Sequence, residues 1–338
     1  MTLLALHRSL SEVVTPDRGL ALAIGNFDGV HCGHQAILQA TCNAASEHAL
    51  TPAAMSFEPL PREYFNRVRH DSPPPPARLM SLSEKLAAFA RAGMQHAYIP
   101  RFNAAFAGQS PGEFMASLSA LRVRWLMVGD DFHFGKRRAG NVATLRAAAN
   151  DFGFTVKSID EIGVHGQRVS STAIRDALHA GRCKVASALL GHPYTISGRV
   201  THGRKLGRTL GFPTANISLG CAARRRNPAL TGVFAVRCRL VTRGLEGVAG
   251  RVGTVLNGVA NLGTNPVVSS ANRHHLEVFL FDFSGDLYGR RLEVAFIEKI
   301  RDEHKFASLD ALVRQMHDDT HTALTILQFA EEDDGPES

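Results

Sequence analysis

Ten consecutive residues, Gly25-Asn26-Phe27-Asp28-Gly29-Val30-His31-Cys32-Gly33-His34, gather the groups in this chain best suited to chemistry on a phosphate. The glycines allow sharp turning and close backbone approach to a ligand. His31 and His34 are three positions apart, so both can face one side of a helix start. A helix beginning near Gly33 points its free N–H groups and positive dipole end at the same place. Imidazoles there can donate hydrogen bonds to phosphate oxygens as charge builds on a pentavalent phosphorus. Two other readings stand beside this one. One is a metal site, for which HxxH supplies only two ligands; the other is a pair of satisfied surface histidines.

A second string, Gly198 to Asn216 (GRVTHGRKLGRTLGFPTAN), is the most distinctive in the chain. Gly198, Gly203, Gly207 and Gly211 leave backbone N–H groups able to wrap phosphates, with Lys205 among them. Pro213 fixes a turn, after which Thr214 and Asn216 offer neutral oxygens two residues apart. Mg²⁺ prefers few protein ligands plus waters and phosphate oxygens, so this pair suits it. The string is not a Walker A motif, which requires GK[ST]. The plainer alternative is a glycine-rich hairpin with a basic face.

The charge distribution agrees with anionic ligands. The chain has 338 residues and a formal net charge of +7. No Asp or Glu occurs between Asp176 and Glu246, while Arg182, Lys184, Arg199, Arg204, Lys205 and further arginines do. A solvated basic face is one reading, and nucleic-acid binding another. Against nucleic acid stand one Trp, four Tyr and no aromatic–basic interleaving. Neither a membrane-spanning helix nor a secretory leader is expected. Five scattered cysteines without a CxxC pair suit a reducing, cytoplasmic setting.

These residues need elements to position them. In the first half, strands fit 20–24, 53–57, 96–99 and 125–128, and helices fit 34–48, 83–92, 111–120 and 141–151. Such alternation predicts a Rossmann-like α/β unit, a parallel sheet covered on both faces, with ligands at the carboxyl ends of its strands. After a helical stretch at 171–190, β-rich runs follow near 194–200, 232–241, 253–258, 276–283 and 291–298, then an amphipathic helix over 308–329. Strands without intervening helices predict an antiparallel barrel or sandwich. The expected domains are 1–186 and 187–338.

The string GNFDGVHCGHQ resembles the prokaryotic bifunctional riboflavin kinase/FMN adenylyltransferases, also called FAD synthetases. Phe57-Glu58-Pro59, Arg78-Leu79 ahead of Ser83-Glu84-Lys85, Val128 to Gly135 (VGDDFHFG) and Ser170 to Arg175 (SSTAIR) follow in the same order. The string ending in Pro213-Thr214-Ala215-Asn216 is similar to the family's riboflavin kinase signature. The resemblance implies a nucleotidyltransferase unit followed by an antiparallel β-barrel kinase unit with a terminal helix. It also implies two reactions: ATP and riboflavin give FMN and ADP, then ATP and FMN give FAD and pyrophosphate, with Mg²⁺ accompanying the ATP.

By the same resemblance, His31 and His34 are the donors of adenylyl transfer, with Gly25, Asn26, Phe27, Asp28 and Gly33 around the nucleotide. Ser170, Ser171, Thr172 and Arg175 hold its phosphates, for which a hydroxyl cap and an arginine fork are a good grip. Phe57, Asp131 and Phe132 are assigned to the flavin. In the kinase half, Gly203, Lys205, Gly207 and Gly211 bind ATP, Thr214 and Asn216 the metal-ATP, and Glu277 is the base on the ribityl hydroxyl. A carboxylate between apolar strand neighbours suits general-base work, though pairing with an arginine is the alternative. His133, Asn265, Val267 and Asp302 depart from the family's usual residues. They leave open a single-activity adenylyltransferase whose barrel is regulatory. A monomer or weak homo-oligomer is expected.

Overall fold

Leu20-Ala-Leu-Ala-Ile24 is too short for a helix and has no polar face, so it suits a strand covered on both sides. The computed structural model, which describes residues 4–10, 16–69, 74–160, 162–164, 166–203, 210–220, 227–243, 249–265 and 273–333, places it there. Six strands, β1 (Ala5–His7), β2 (Leu20–Ile24), β3 (Thr51–Met55), β4 (His96–Tyr98), β5 (Val123–Gly129) and β6 (Thr155–Ile159), form one parallel sheet of order β1-β4-β3-β2-β5-β6. Helices α1 (Cys32–Glu47), α2 (Pro61–Val68), α3 (Leu82–Arg91), α4 (Ala104–Gly108), α5 (Pro111–Ala120) and α6 (Val142–Phe152) connect them. Leu20, Leu22 and Ile24 pack in one core with Leu126 and Val128, whereas Ala21, Trp125 and Met127 face Ala44 and Ala45 of α1. Both faces of the central strands are therefore buried. The strand order reverses between β2 and β5, which is where such sheets open a crevice for ligands.

By packing, Met1–Pro76 with Leu82–Val169 make one unit, and Ala77–Ser81 with Ser170–Ser338 make the other. The stretch expected as one helix over 171–190 is two, α7 (Ser171–His179) and α8 (Cys183–Leu190). Gly181 takes the left-handed φ of +70° between them, a conformation that ends a helix. Strands β7 (Tyr194–Thr201), β8 (Thr214–Ile217), β9 (Gly232–Arg243), β10 (Ala249–Asn265), β11 (Arg273–Leu280) and β12 (Arg291–Arg301) close an antiparallel barrel in the order β7-β8-β11-β10-β9-β12. Its interior holds Ile196, Phe234, Val278, Val294 and Phe296, each no more than 1% exposed. The terminal helix α9 (Leu309–Asp333) lays Ala323 and Leu327 against Ala235, Val259 and Ile297 on the outside of the wall. Arg301 of β12 fixes it further through a two-pronged ion pair to buried Asp319, at 2.8 and 2.7 Å.

Candidate active sites

The first site starts where β2 ends. Between Gly25 and His31 the chain turns through φ values of +46° at Phe27, +93° at Gly29 and +43° at Val30. A β-branched residue in the left-handed region is strained, and such strain persists only where the surroundings over-determine it. Here Phe27 is fully buried, edge-on to Phe89 at 5.2 Å and to His34 at 5.1 Å, and the Gln35 amide donates to the Val30 carbonyl at 2.9 Å. Asp28 is also buried within the turn.

His31 is the N-cap of α1, and its Nδ1 accepts from the His34 backbone N–H at 3.3 Å. An accepting Nδ1 requires the ring proton on Nε2, so the cap itself selects the tautomer. Gly33 passes directly beneath, where a Cβ would come within 3.3 Å of the His31 Nδ1. The two imidazoles stack at 3.6 Å and 15°. Burial, then His31, then Lys85 hold the His34 imidazole well below its ordinary value of 6.5, so it is neutral at physiological pH. Its Nδ1 is buried with no hydrogen-bond partner among the described residues, an unsatisfied polar atom at the helix start.

The neighbouring strand contributes Asp131 and Phe132 just beyond the end of β5. Asp131 is exposed, and Phe132 stacks on Phe134 at 5.7 Å. The His133 ring nitrogen Nδ1 lies 2.8 Å from the Asp131 carbonyl. Phe57 lies deeper, packed on Phe102 and Phe106. Lys85 of α3, which closes the string Ser83-Glu84-Lys85 but was assigned no role from the sequence, is 3% exposed and donates to the Asn26 carbonyl at 2.7 Å and the Ser56 hydroxyl at 2.9 Å.

The second unit carries two further groups of expected site residues. Ser170 caps α7, its hydroxyl accepting from the Ala173 N–H at 3.1 Å, which sets Ser171 and Thr172 in the first turn of the helix. Arg175 Nε donates to the Ala77 carbonyl at 2.6 Å, an anchor that orients the guanidinium plane.

In the barrel, register does the assembling. Asn216 of β8 lies directly opposite Glu277 of β11, and Glu277 directly opposite Asn261 of β10. Directly opposed residues of antiparallel strands project on one face. Ile217, Leu276, Val278 and Leu262, their alternating neighbours, fill the interior, so the row Asn216–Glu277–Asn261 lies on the outer face with Thr214 two residues along. Gly203 approaches so closely that a Cβ there would land on the Asn216 amide. Gly211, at φ +86°, turns the chain before Phe212, whose ring packs on Phe279 and His317. Asn261 gave no signal in the sequence, and its Oδ1 is buried with no partner among the described residues. Lys205, Gly207 and Val267 lie outside the described residues.

The oxygens of Thr214 and Asn216 are hard, neutral donors beside a carboxylate, a set that fits a divalent cation brought in on ATP phosphates. The stacked imidazoles at a helix N-terminus fit an anion under attack.

Comparisons with known proteins point the same way. Residues 14–173 match the FAD synthetase family and residues 190–327 the riboflavin kinase family. Bifunctional riboflavin kinase/FMN adenylyltransferases from Haemophilus influenzae and Escherichia coli K12 are 44% and 43% identical, over 90% and 91% of this chain and 94% and 93% of theirs. The Pseudomonas fluorescens enzyme of the same name is 42% identical over 94% of this chain and 96% of its own. A crystal structure described as a macrolide-efflux protein from Streptococcus pneumoniae superposes with a TM-score of 0.75 and 28% identity, over 94% of this chain and 97% of that one. No helix among the described residues is long and apolar enough to cross a membrane. Two catalytic units in the relatives' order, across nine-tenths of the chain, make it a member of the bifunctional riboflavin kinase/FMN adenylyltransferase family, which forms FMN and then FAD at the expense of ATP.

Proposed function

We propose that the first half, residues 1–186, adenylylates FMN at His31 and His34, and that the second, 187–338, phosphorylates riboflavin at Thr214, Asn216 and Glu277. The observation that carries the first assignment is the neutral imidazole stack capping α1. An FMN phosphate oxygen attacks the α-phosphorus of ATP and pyrophosphate leaves, without a covalent enzyme intermediate. His31 and His34 donate to the equatorial oxygens, Asn26 and Asp28 shape the turn, and Ser171, Thr172 and Arg175 hold the pyrophosphate end. Phe57, Asp131 and Phe132 border the flavin.

In the barrel, Glu277 takes the proton of the ribityl 5′-hydroxyl as that oxygen attacks the γ-phosphorus. Its place opposite Asn216 supports this, because base and metal-ATP must meet at one oxygen. Thr214 and Asn216 would hold Mg²⁺, which neutralises the triphosphate when bound. Gly203, Lys205, Gly207 and Gly211 wrap the nucleotide, so the basic window serves ATP and not nucleic acid. The enzyme works in the cytoplasm, as a monomer or weak homo-oligomer; Cys32, Cys42, Cys183 and Cys238, which form no disulfide among the described residues, support a reducing setting.

The direct test feeds the purified chain ATP and Mg²⁺ with riboflavin, and separately with FMN, and resolves the flavins by chromatography. FAD is expected from both. FAD from FMN alone would place the fault in the barrel, and no product from either would overturn the proposal. A finer check uses Gly203→Ala, whose methyl displaces the Asn216 amide. Riboflavin phosphorylation should fall by about a hundredfold, the cost of roughly an ångström of misplacement, while FAD formation from supplied FMN is unchanged.

A further inference from the structure

Lys85 is an unexpected residue to find buried. An ammonium taken out of water is costly unless hydrogen bonds replace its hydration, and a core position is cheaper to fill with Leu or Met. Its contacts converge on one atom: Lys85 Nζ donates to the Asn26 carbonyl at 2.7 Å and to Ser56 Oγ at 2.9 Å, and Ser56 Oγ donates to the same carbonyl at 3.0 Å. That carbonyl opens the strained turn. One helical turn further along α3, Phe89 packs edge-on against Phe27. Residues four apart share a helix face, so α3 delivers both the cation and the ring to the floor of the loop that presents His31 and His34.

We infer that Lys85 is a positioning residue for adenylyl transfer, clamping the turn at Asn26 and holding a positive charge beneath the two histidines. The inference rests on the assignment of those histidines proposed above. A clamp is what a turn with φ of +46° at Phe27 and +43° at Val30 requires. The charge acts in the direction that an anion-binding site uses, and it also bears on His34. The ionisable groups that act on that imidazole are His31 at the same helix end and Lys85 from α3, while Asp28 is buried in the same turn. A cation this close disfavours a second positive charge on the ring, so Lys85 helps keep His34 a neutral donor.

The test uses the full chain with Lys85→Met and Ser56→Ala, following FAD formation from FMN and the His34 titration by NMR. Trp125, the single tryptophan, lies buried in the first unit's sheet and reports on its folding. Lys85→Met should lower kcat for FAD formation about a hundredfold, a misplacement effect, and move the His34 titration up toward 6.5. Ser56→Ala keeps the charge, so it should lower kcat about tenfold or less and leave that titration in place. Unchanged kcat in Lys85→Met, or a fall with the His34 titration unmoved, overturns the inference. Where Lys85→Met loses the native Trp125 emission, Ser56→Ala decides, and unchanged kcat there overturns it. If His31→Ala and His34→Ala leave FAD formation intact, the histidine assignment has failed and Lys85 falls with it. If they abolish it while Lys85→Met does not, Lys85 alone has failed.

Discussion

Replacing His34 with alanine is expected to lower FAD formation from FMN by roughly a hundredfold to a thousandfold, and replacing His31 by about as much, because each donor acts only as charge develops. FMN formation from riboflavin should persist in both variants, since none of its proposed residues is touched. Initial rates on the two flavins, measured separately, check this. The two losses should not add, because the rings stack at 3.6 Å and His31 Nδ1 holds the His34 N–H. A pH profile gives an independent reading. His34 titrates well below 6.5, so kcat/KM for adenylyl transfer should stay level as pH falls through 6.5 and decline only further down. A decline centred on 6.5 would mean the pair is not the neutral one described. The same depression has a stability cost in acid. Below 6.5 the unfolded chain takes up a proton that the native imidazole refuses, so this contribution is present above 6.5 and is lost as pH falls.

Glu277→Gln should lower riboflavin phosphorylation by about a hundredfold to ten-thousandfold, the range of general-base contributions, and Asn216→Ala should cause a comparable fall. With FMN supplied, both variants should still make FAD. Glutamine keeps the strand pairing with Asn216 and Asn261 and removes only the basicity, so a fall in kcat with little change in the KM for ATP is the expected pattern. Loss of both activities in a folded Glu277→Gln or His34→Ala protein would sink the two-site reading.

How much of this was legible before any coordinates depended on where the information sat. The group of residues proposed for adenylyl transfer was readable because strand, turn, cap and both imidazoles occupy one short stretch from Leu20 to His34. The group proposed for riboflavin phosphorylation was readable only in pieces. Thr214 and Asn216 stood in a recognisable string after the turn at Pro213, but no strand was expected there, and the segment proved to be β8, whose pairing with β11 sets Asn216 opposite Glu277, 61 positions on. No periodicity announces such a register; resemblance alone chose Glu277. Asn261 went unnoticed, and Lys85 stood in the string Ser83-Glu84-Lys85 without a role, for a related reason. A lysine on an amphipathic helix reads as solvated until the turn at Asn26 closes over it. Edge strands β1 and β6 were missed because three residues, or a half-buried five, leave too weak a pattern. The helix over 171–190 was read through Gly181 because apolar spacing resumes beyond it.

One short segment bears on how the enzyme can be dissected. Ala77–Ser81, between Pro76 and α3, packs with the second unit, and the Ala77 carbonyl fixes Arg175. The chain is therefore interleaved, and no single cut yields two intact pieces. A fragment beginning at Ser170 leaves behind the strap that holds its own arginine, and its complement keeps five internal residues, Ala77–Ser81, without the unit they pack with. Co-expression of the two fragments, not either alone, is the arrangement expected to return FAD synthesis.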